Sequence, residues 1–134
     1  MSVDRDRLIG VWELVDYRIE LADGSRIQPL GSAPKGQLIY TAEGRMGAHL
    51  MHGGAPDPDA PAFPDPLTGG GYCGSWRLEG GMVYHEVEIA SVAGRPGTVL
   101  VREWSFDGTD LILVARNGPR VPVPNKGTLR WRRV

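Results

Sequence analysis

Hydrophobic and polar positions along this chain alternate far more often than they recur at helical spacing. Alternation with a period of two is the mark of a strand with one buried face. Residues 11–21, 37–41, 45–51, 72–78, 82–90, 98–106, 110–115 and 128–134 each read as such a strand, and Arg26-Ile27 adds a brief pairing segment. Between them stand turn signals: Ala22-Asp23-Gly24, Ala42-Glu43-Gly44, Glu79-Gly80-Gly81 and Asp107-Gly108. Only residues 3–9 suit a helix, a single turn that Asp4 would cap. Eight or nine short strands joined mostly by hairpins predict an all-β fold. An up-and-down antiparallel barrel of about eight strands closes such a meander and leaves no exposed edge.

Composition supports this reading. At 134 residues the chain makes a single domain, 1–134, large enough for a real core. It holds 19 glycines and 11 prolines, yet 41% of its residues are hydrophobic, so the glycines and prolines punctuate a folded chain. Five prolines, at 56, 58, 61, 64 and 66, fall within residues 52–71. Proline cannot donate to a ladder, so this stretch is a long Pro-rich loop, either a lid or a flexible insertion. A second Pro-bearing loop spans residues 117–126. If both lie at one end of the barrel, they mark its mouth.

Charge and cysteine content exclude several classes. Fifteen basic against 16 acidic residues leave a net charge of −1, without the basic excess of a nucleic-acid binder. Cys73 is the only cysteine, which rules out an intrachain disulfide and a Cys-rich zinc site. Residues 1–7 carry four charges and no apolar run, unlike a signal peptide. No segment approaches the ~20 apolar residues that span a bilayer. The expectation is a cytoplasmic protein with no membrane partner; a homodimer is permitted but not required.

Alternation assigns the faces. In residues 82–90, His85 shares the apolar face with Val83, Val87 and Ile89, which makes it interior. In residues 98–106, Leu100, Arg102, Trp104 and Phe106 share the interior face, so Arg102 is an inward cation. Tyr72, Trp76 and Leu78 share the third. These strands are consecutive, so Tyr72 or Trp76, His85 and Arg102 converge on one wall. They line a ligand pocket, or they form a satisfied polar network that only fixes packing; a register shift would turn all three outward. A three-residue turn at Ala42 to Gly44 places Leu38, Tyr40, Met46, Ala48 and Leu50 inside, and His49 and Arg45 outside; a two-residue turn would change this pairing.

The chain resembles a known family at both ends and in the middle. Leu8-Ile9-Gly10-Val11-Trp12-Glu13 has the Gly-x-Trp opening of lipocalin barrels. Gly36-Gln37-Leu38-Ile39-Tyr40-Thr41-Ala42-Glu43-Gly44-Arg45-Met46 is similar to the corresponding stretch of the bacterial lipocalin-like domain family, as are Tyr72-Cys73-Gly74, Val83-Tyr84-His85-Glu86-Val87-Glu88 and the closing Leu129-Arg130-Trp131-Arg132-Arg133, with its Leu-x-Trp-x-Arg pattern. The resemblance implies that Gly10 bends the chain under the barrel, that Trp12 plugs the closed end, and that an arginine of the last strand lies across it. Spacing alone does not choose among Arg130, Arg132 and Arg133: Arg130 and Arg132, named here for the closure, share one face, and Arg133 sits with Leu129 and Trp131 on the other. Related barrels include ligand carriers and cofactor-free cyclases.

Catalytic motifs are sparse. There is no phosphate-cradling glycine loop, no Gly-x-Ser-x-Gly elbow and no His-x-x-x-His, so no cofactor or metal is expected. His49 and His52 point to opposite faces, and Cys73 shares no face with a base. The leading expectation is a barrel that binds an apolar or aromatic metabolite, with Tyr40, Tyr72, Trp76, His85, Arg102 and Trp104 as its ligand contacts. One alternative is a cofactor-free cyclase or isomerase of a natural-product pathway, in which His85 moves a proton and Arg102 stabilises developing charge. The other is a structural or partner-binding domain with a filled core.

Overall fold

A computed structural model describes residues 3–53, 69–118 and 123–134. A short helix, α1 (Val3–Leu8), precedes nine strands: β1 (Gly10–Leu21), β2 (Arg26–Ile27), β3 (Lys35–Tyr40), β4 (Arg45–Met51), β5 (Gly69–Glu79), β6 (Met82–Ala90), β7 (Val99–Asp107), β8 (Asp110–Arg116) and β9 (Asn125–Arg133). Neighbours in the order β2-β1-β3-β4-β5-β6-β7-β8-β9 pair antiparallel, and β9 pairs back onto β1 from Trp12↔Arg133 to Leu21↔Asn125. That closure makes an eight-stranded antiparallel barrel of β1 and β3 to β9. β2 covers Ile19 and Glu20 of β1, beyond the reach of β3.

β5 and β9 each begin three residues earlier than alternation predicts, and β3 two. β5 begins at Gly69 rather than at 72, because the backbones of Gly69, Gly70 and Gly71 pair with Met51, Leu50 and His49. β9 begins at Asn125 rather than at 128. Ladder pairing needs no side chain, so side-chain pattern underestimates it. Most of the Pro-rich stretch, residues 54–68, and residues 119–122 of the second loop lie outside the described residues. The residues that flank both stretches sit at the same end, because successive hairpins of a meander alternate between ends.

Two β-bulges shift the faces. On β1 the register slips between Leu14 and Asp16, so Trp12 and Leu14, then Tyr17 and Ile19, all point inward. Between β5 and β6, Cys73 pairs with Ile89 but Gly74 pairs with Val87, which leaves Glu88 as the extra residue. Val83, His85 and Val87 are interior as expected, whereas Ile89 is turned out and 66% exposed. Ala90 takes the inner position opposite Tyr72. Simple alternation carries no sign of the bulge. The bulge requires glycine at 74, where a Cβ would overlap the Glu86 carbonyl oxygen.

The closed end is built around Trp12. It is fully buried, and its Nε1 donates to the Leu8 carbonyl at 2.9 Å. Leu8, also fully buried, anchors α1 under the barrel and contributes about 1.5–3 kcal/mol of burial. The arginine across Trp12 is Arg133, its guanidinium carbon 4.2 Å from the ring centroid, with Nη1 and Nη2 donating to the carbonyls of Ile9 (2.8 Å) and Arg7 (2.6 Å). The expectation for Arg130 and Arg132 is thereby corrected. Arg130 pairs outside with Asp107 and Asp110, and Arg132 with Glu13. Arg133 is on the inward face with Leu129 and Trp131, and only that face reaches the plug. Gly10 has φ +139°, and a Cβ there would overlap the Arg133 guanidinium, so the glycine serves this close approach as well as the bend.

Candidate functional site

The barrel is not filled. Between the Trp12 plug and the open end is a cavity of about 610 Å³. Leu38, Leu50, Leu100, Leu113 and Leu129 supply much of its apolar wall, and Trp131 lines it as well. Tyr72, His85 and Arg102 interrupt that wall from three consecutive strands. Gly70, Arg95, Thr98 and Asn125 lie around the open end.

His85 is 1% exposed and held on both ring nitrogens. Tyr40 Oη lies 2.5 Å from Nε2, and Tyr72 Oη lies 2.7 Å from Nδ1. Both hydroxyls are within hydrogen-bonding distance, so the imidazole cannot rotate without losing two bonds. Arg102 is the diagonal neighbour of His85, because Val83 pairs with Arg102 and His85 with Leu100. Burial first, and then the Arg102 charge, lower the His85 pKa from 6.5 to about 3. His85 is therefore neutral near pH 7. Burial holds the Tyr40 hydroxyl well above its usual pKa and raises that of Tyr72.

The expected site residues divide by height along the barrel. Tyr72, His85 and Arg102 meet on the cavity wall. Tyr40 stands behind His85, 1% exposed, and reaches the cavity only through the imidazole. Trp76 packs on Tyr40 with centroids 4.5 Å apart, donates Nε1 to the Thr41 carbonyl and carries Arg5 on its face at 4.8 Å. Trp104 packs on Phe106, which in turn contacts Trp12. Neither Trp76 nor Trp104 lines the cavity; both belong to the layer near the closed end. Alternation identifies a residue's face but not its depth in the barrel, and this is where the expectation for these two tryptophans fails. The tryptophan on the cavity wall is Trp131.

Arg95 is a cavity residue that sequence patterning missed. It sits in the β6–β7 connection, where no period exists to assign a face. Outside the barrel, His49 and Cys73 line one shallow groove with Ile39 and Ile89, so Cys73 does share a face with a base. Among the described residues no three His, Cys, Asp or Glu side chains cluster as metal ligands. None of the described helices is long and apolar enough to cross a membrane.

Comparison with known proteins agrees with this architecture. The lipocalin-like domain family matches residues 9–134. A solved structure of a lipocalin-like protein from Bacteroides uniformis superposes with a TM-score of 0.53 at 13% identity, covering 96% of this chain and 99% of that one. At that identity the likeness concerns the fold alone. The search of curated protein sequences gave no match. The family match spans nearly the whole chain, and the chain belongs to the lipocalin-like domain family.

Proposed function

We propose that this lipocalin-like domain binds an apolar small molecule inside its barrel, anchored by the polar group at Tyr72, His85 and Arg102. The observation that carries this reading is the cavity itself. A space of about 610 Å³, mostly apolar and interrupted by a few convergent polar groups, has the form of a small-molecule site. A filled core, the structural alternative, would leave no such space. The cyclase or isomerase alternative is weakened by His85, which burial keeps unprotonated at neutral pH and which hydrogen bonds occupy on both nitrogens.

Nile red, a neutral solvatochromic dye, tests the reading directly. Its emission should shift to the blue on mixing with the protein, with saturable one-site binding. Ala115→Trp puts an indole into the cavity from an inward position of β8 and should abolish the shift. Dye binding that survives this substitution unchanged would place the dye on the outer surface and reject an interior site.

A further inference from the structure

Hydrogen-bond polarity defines the ligand's anchoring group more narrowly, on the premise that the cavity is the binding site. A neutral imidazole has one N–H donor and one bare acceptor nitrogen. Tyr40 is 1% exposed, and its hydroxyl has His85 as its hydrogen-bond partner. Were Tyr40 to accept from His85, its own O–H proton would be buried with no acceptor, which is costly. Tyr40 therefore donates to Nε2. Nδ1 then carries the ring proton and donates to Tyr72 Oη, which leaves the Tyr72 O–H proton free on the cavity wall.

Arg102 adds to the same polarity. A guanidinium has five N–H groups, and here Nη1 donates to the Val101 carbonyl at 3.0 Å. Six other arginines, Arg18, Arg45, Arg77, Arg116, Arg130 and Arg132, each pair with a carboxylate on the barrel exterior. Among the described residues Arg26, exposed on β2, and Arg95 and Arg102, on the cavity lining, have neither a carboxylate nor a ring partner, and the described cavity lining contains no Asp or Glu. The Arg102 charge acts on Tyr40, Tyr72 and His85, and the Arg95 charge on Tyr72. Trp131, also on the wall, has a buried indole N–H without an acceptor among the described residues. The interior of a chain with net charge −1 is thus a site of surplus donors and positive charge.

We infer that the cavity is specific for an amphiphilic organic acid, whose carboxylate accepts from the Tyr72 hydroxyl and the Arg102 guanidinium while its apolar body fills the leucine-lined space. A carboxylate presents two acceptor oxygens, matching a guanidinium fork and a neighbouring hydroxyl, and carries the charge that Arg102 lacks. An ester of the same acid keeps the apolar body but loses the charge, and an amine presents donors to donors.

Displacement of Nile red by decanoic acid, methyl decanoate and decylamine at neutral pH tests this. The acid should displace the dye at a concentration about tenfold or more below the ester, with the amine weakest. Arg102→Ala and Tyr72→Phe should each weaken displacement by the acid more than displacement by the ester, so that the acid-to-ester ratio measured on the same variant falls towards one. The wild-type comparison involves no substitution, so misfolding of a variant cannot decide the outcome. Equal displacement by acid and ester from a dye-binding wild type overturns the acid specificity and leaves the pocket standing. A wild type that does not bind the dye and is perturbed by none of the three ligands in its tryptophan fluorescence overturns both.

Discussion

His85 shows how one residue's surroundings determine its chemistry. In the unfolded chain it takes a proton near its ordinary pKa of 6.5, whereas in the barrel it resists protonation down to about 3. Between those values the unfolded state binds more protons, so stability is fully present above 6.5 and is lost as the pH falls through this window. The slope approaches about 1.4 kcal/mol per pH unit at its steepest. Urea titrations of wild type and His85→Gln at about pH 7, 6, 5 and 4 isolate the contribution. The wild type should lose stability faster than the variant as the pH falls, and parallel profiles would contradict the buried neutral imidazole. Gly10 is a second residue whose role depends on a partner distant in sequence. Gly10→Ala should cost about 1–3 kcal/mol, from the left-handed backbone and the collision with Arg133, read as a lowered urea midpoint at unchanged slope. Gly24, also at positive φ but with nothing near its missing Cβ, is the control and should lose less on the same substitution.

Among the elements, the bulge between β5 and β6 determines what enters the cavity. By placing Glu88 outside the ladder it turns Ile89 out to solvent and brings Ala90 in opposite Tyr72, which opens room beside the Tyr72–His85 pair. Gly74→Ala sets a Cβ against the Glu86 backbone, which cannot move aside as a flexible side chain would. The expected loss is about 2 kcal/mol or more, measured by denaturant unfolding, together with weaker Nile red binding as the wall rearranges. A Gly74→Ala variant as stable as wild type would show that the bulge tolerates a side chain. The strands themselves were readable from alternation and turn residues; the β5–β6 bulge was not, because Val83, His85, Val87 and Ile89 alternate without a break and the extra residue is defined by the partner strand.

For the whole molecule, closure is the defining event. β9 meets β1 along nearly its full length, so the two ends of the chain must come together before the barrel exists. Such non-local pairing makes folding slow, on the order of milliseconds to seconds, with a single cooperative phase expected in stopped-flow tryptophan fluorescence. Removing residues 125–134 would leave β1 and β8 as unpaired edges and delete Trp131 and Arg133; the truncated chain should show no cooperative urea transition. The Trp12 plug, with α1 beneath it and Arg133 across it, seals one end, and the cavity opens at the other, beside the flanks of both Pro-bearing stretches.

Local pattern sufficed for whatever depends on a residue and its near neighbours: the strand set, the hairpins, the barrel and the inward faces of His85 and Arg102. Period-two alternation records burial directly, because each side chain must go to one face or the other. The tertiary structure decided what depends on distance along the barrel axis and on partners far apart in sequence. It selected Arg133 over Arg130 and Arg132, placed Trp76 and Trp104 in the layer near the closed end, turned Ile89 outward, and set Tyr40 and Tyr72 on opposite nitrogens of one buried imidazole. Alternation reports which way a side chain points, whereas its height in the barrel and its hydrogen-bond partner are determined only when the strands pair in register and the barrel closes.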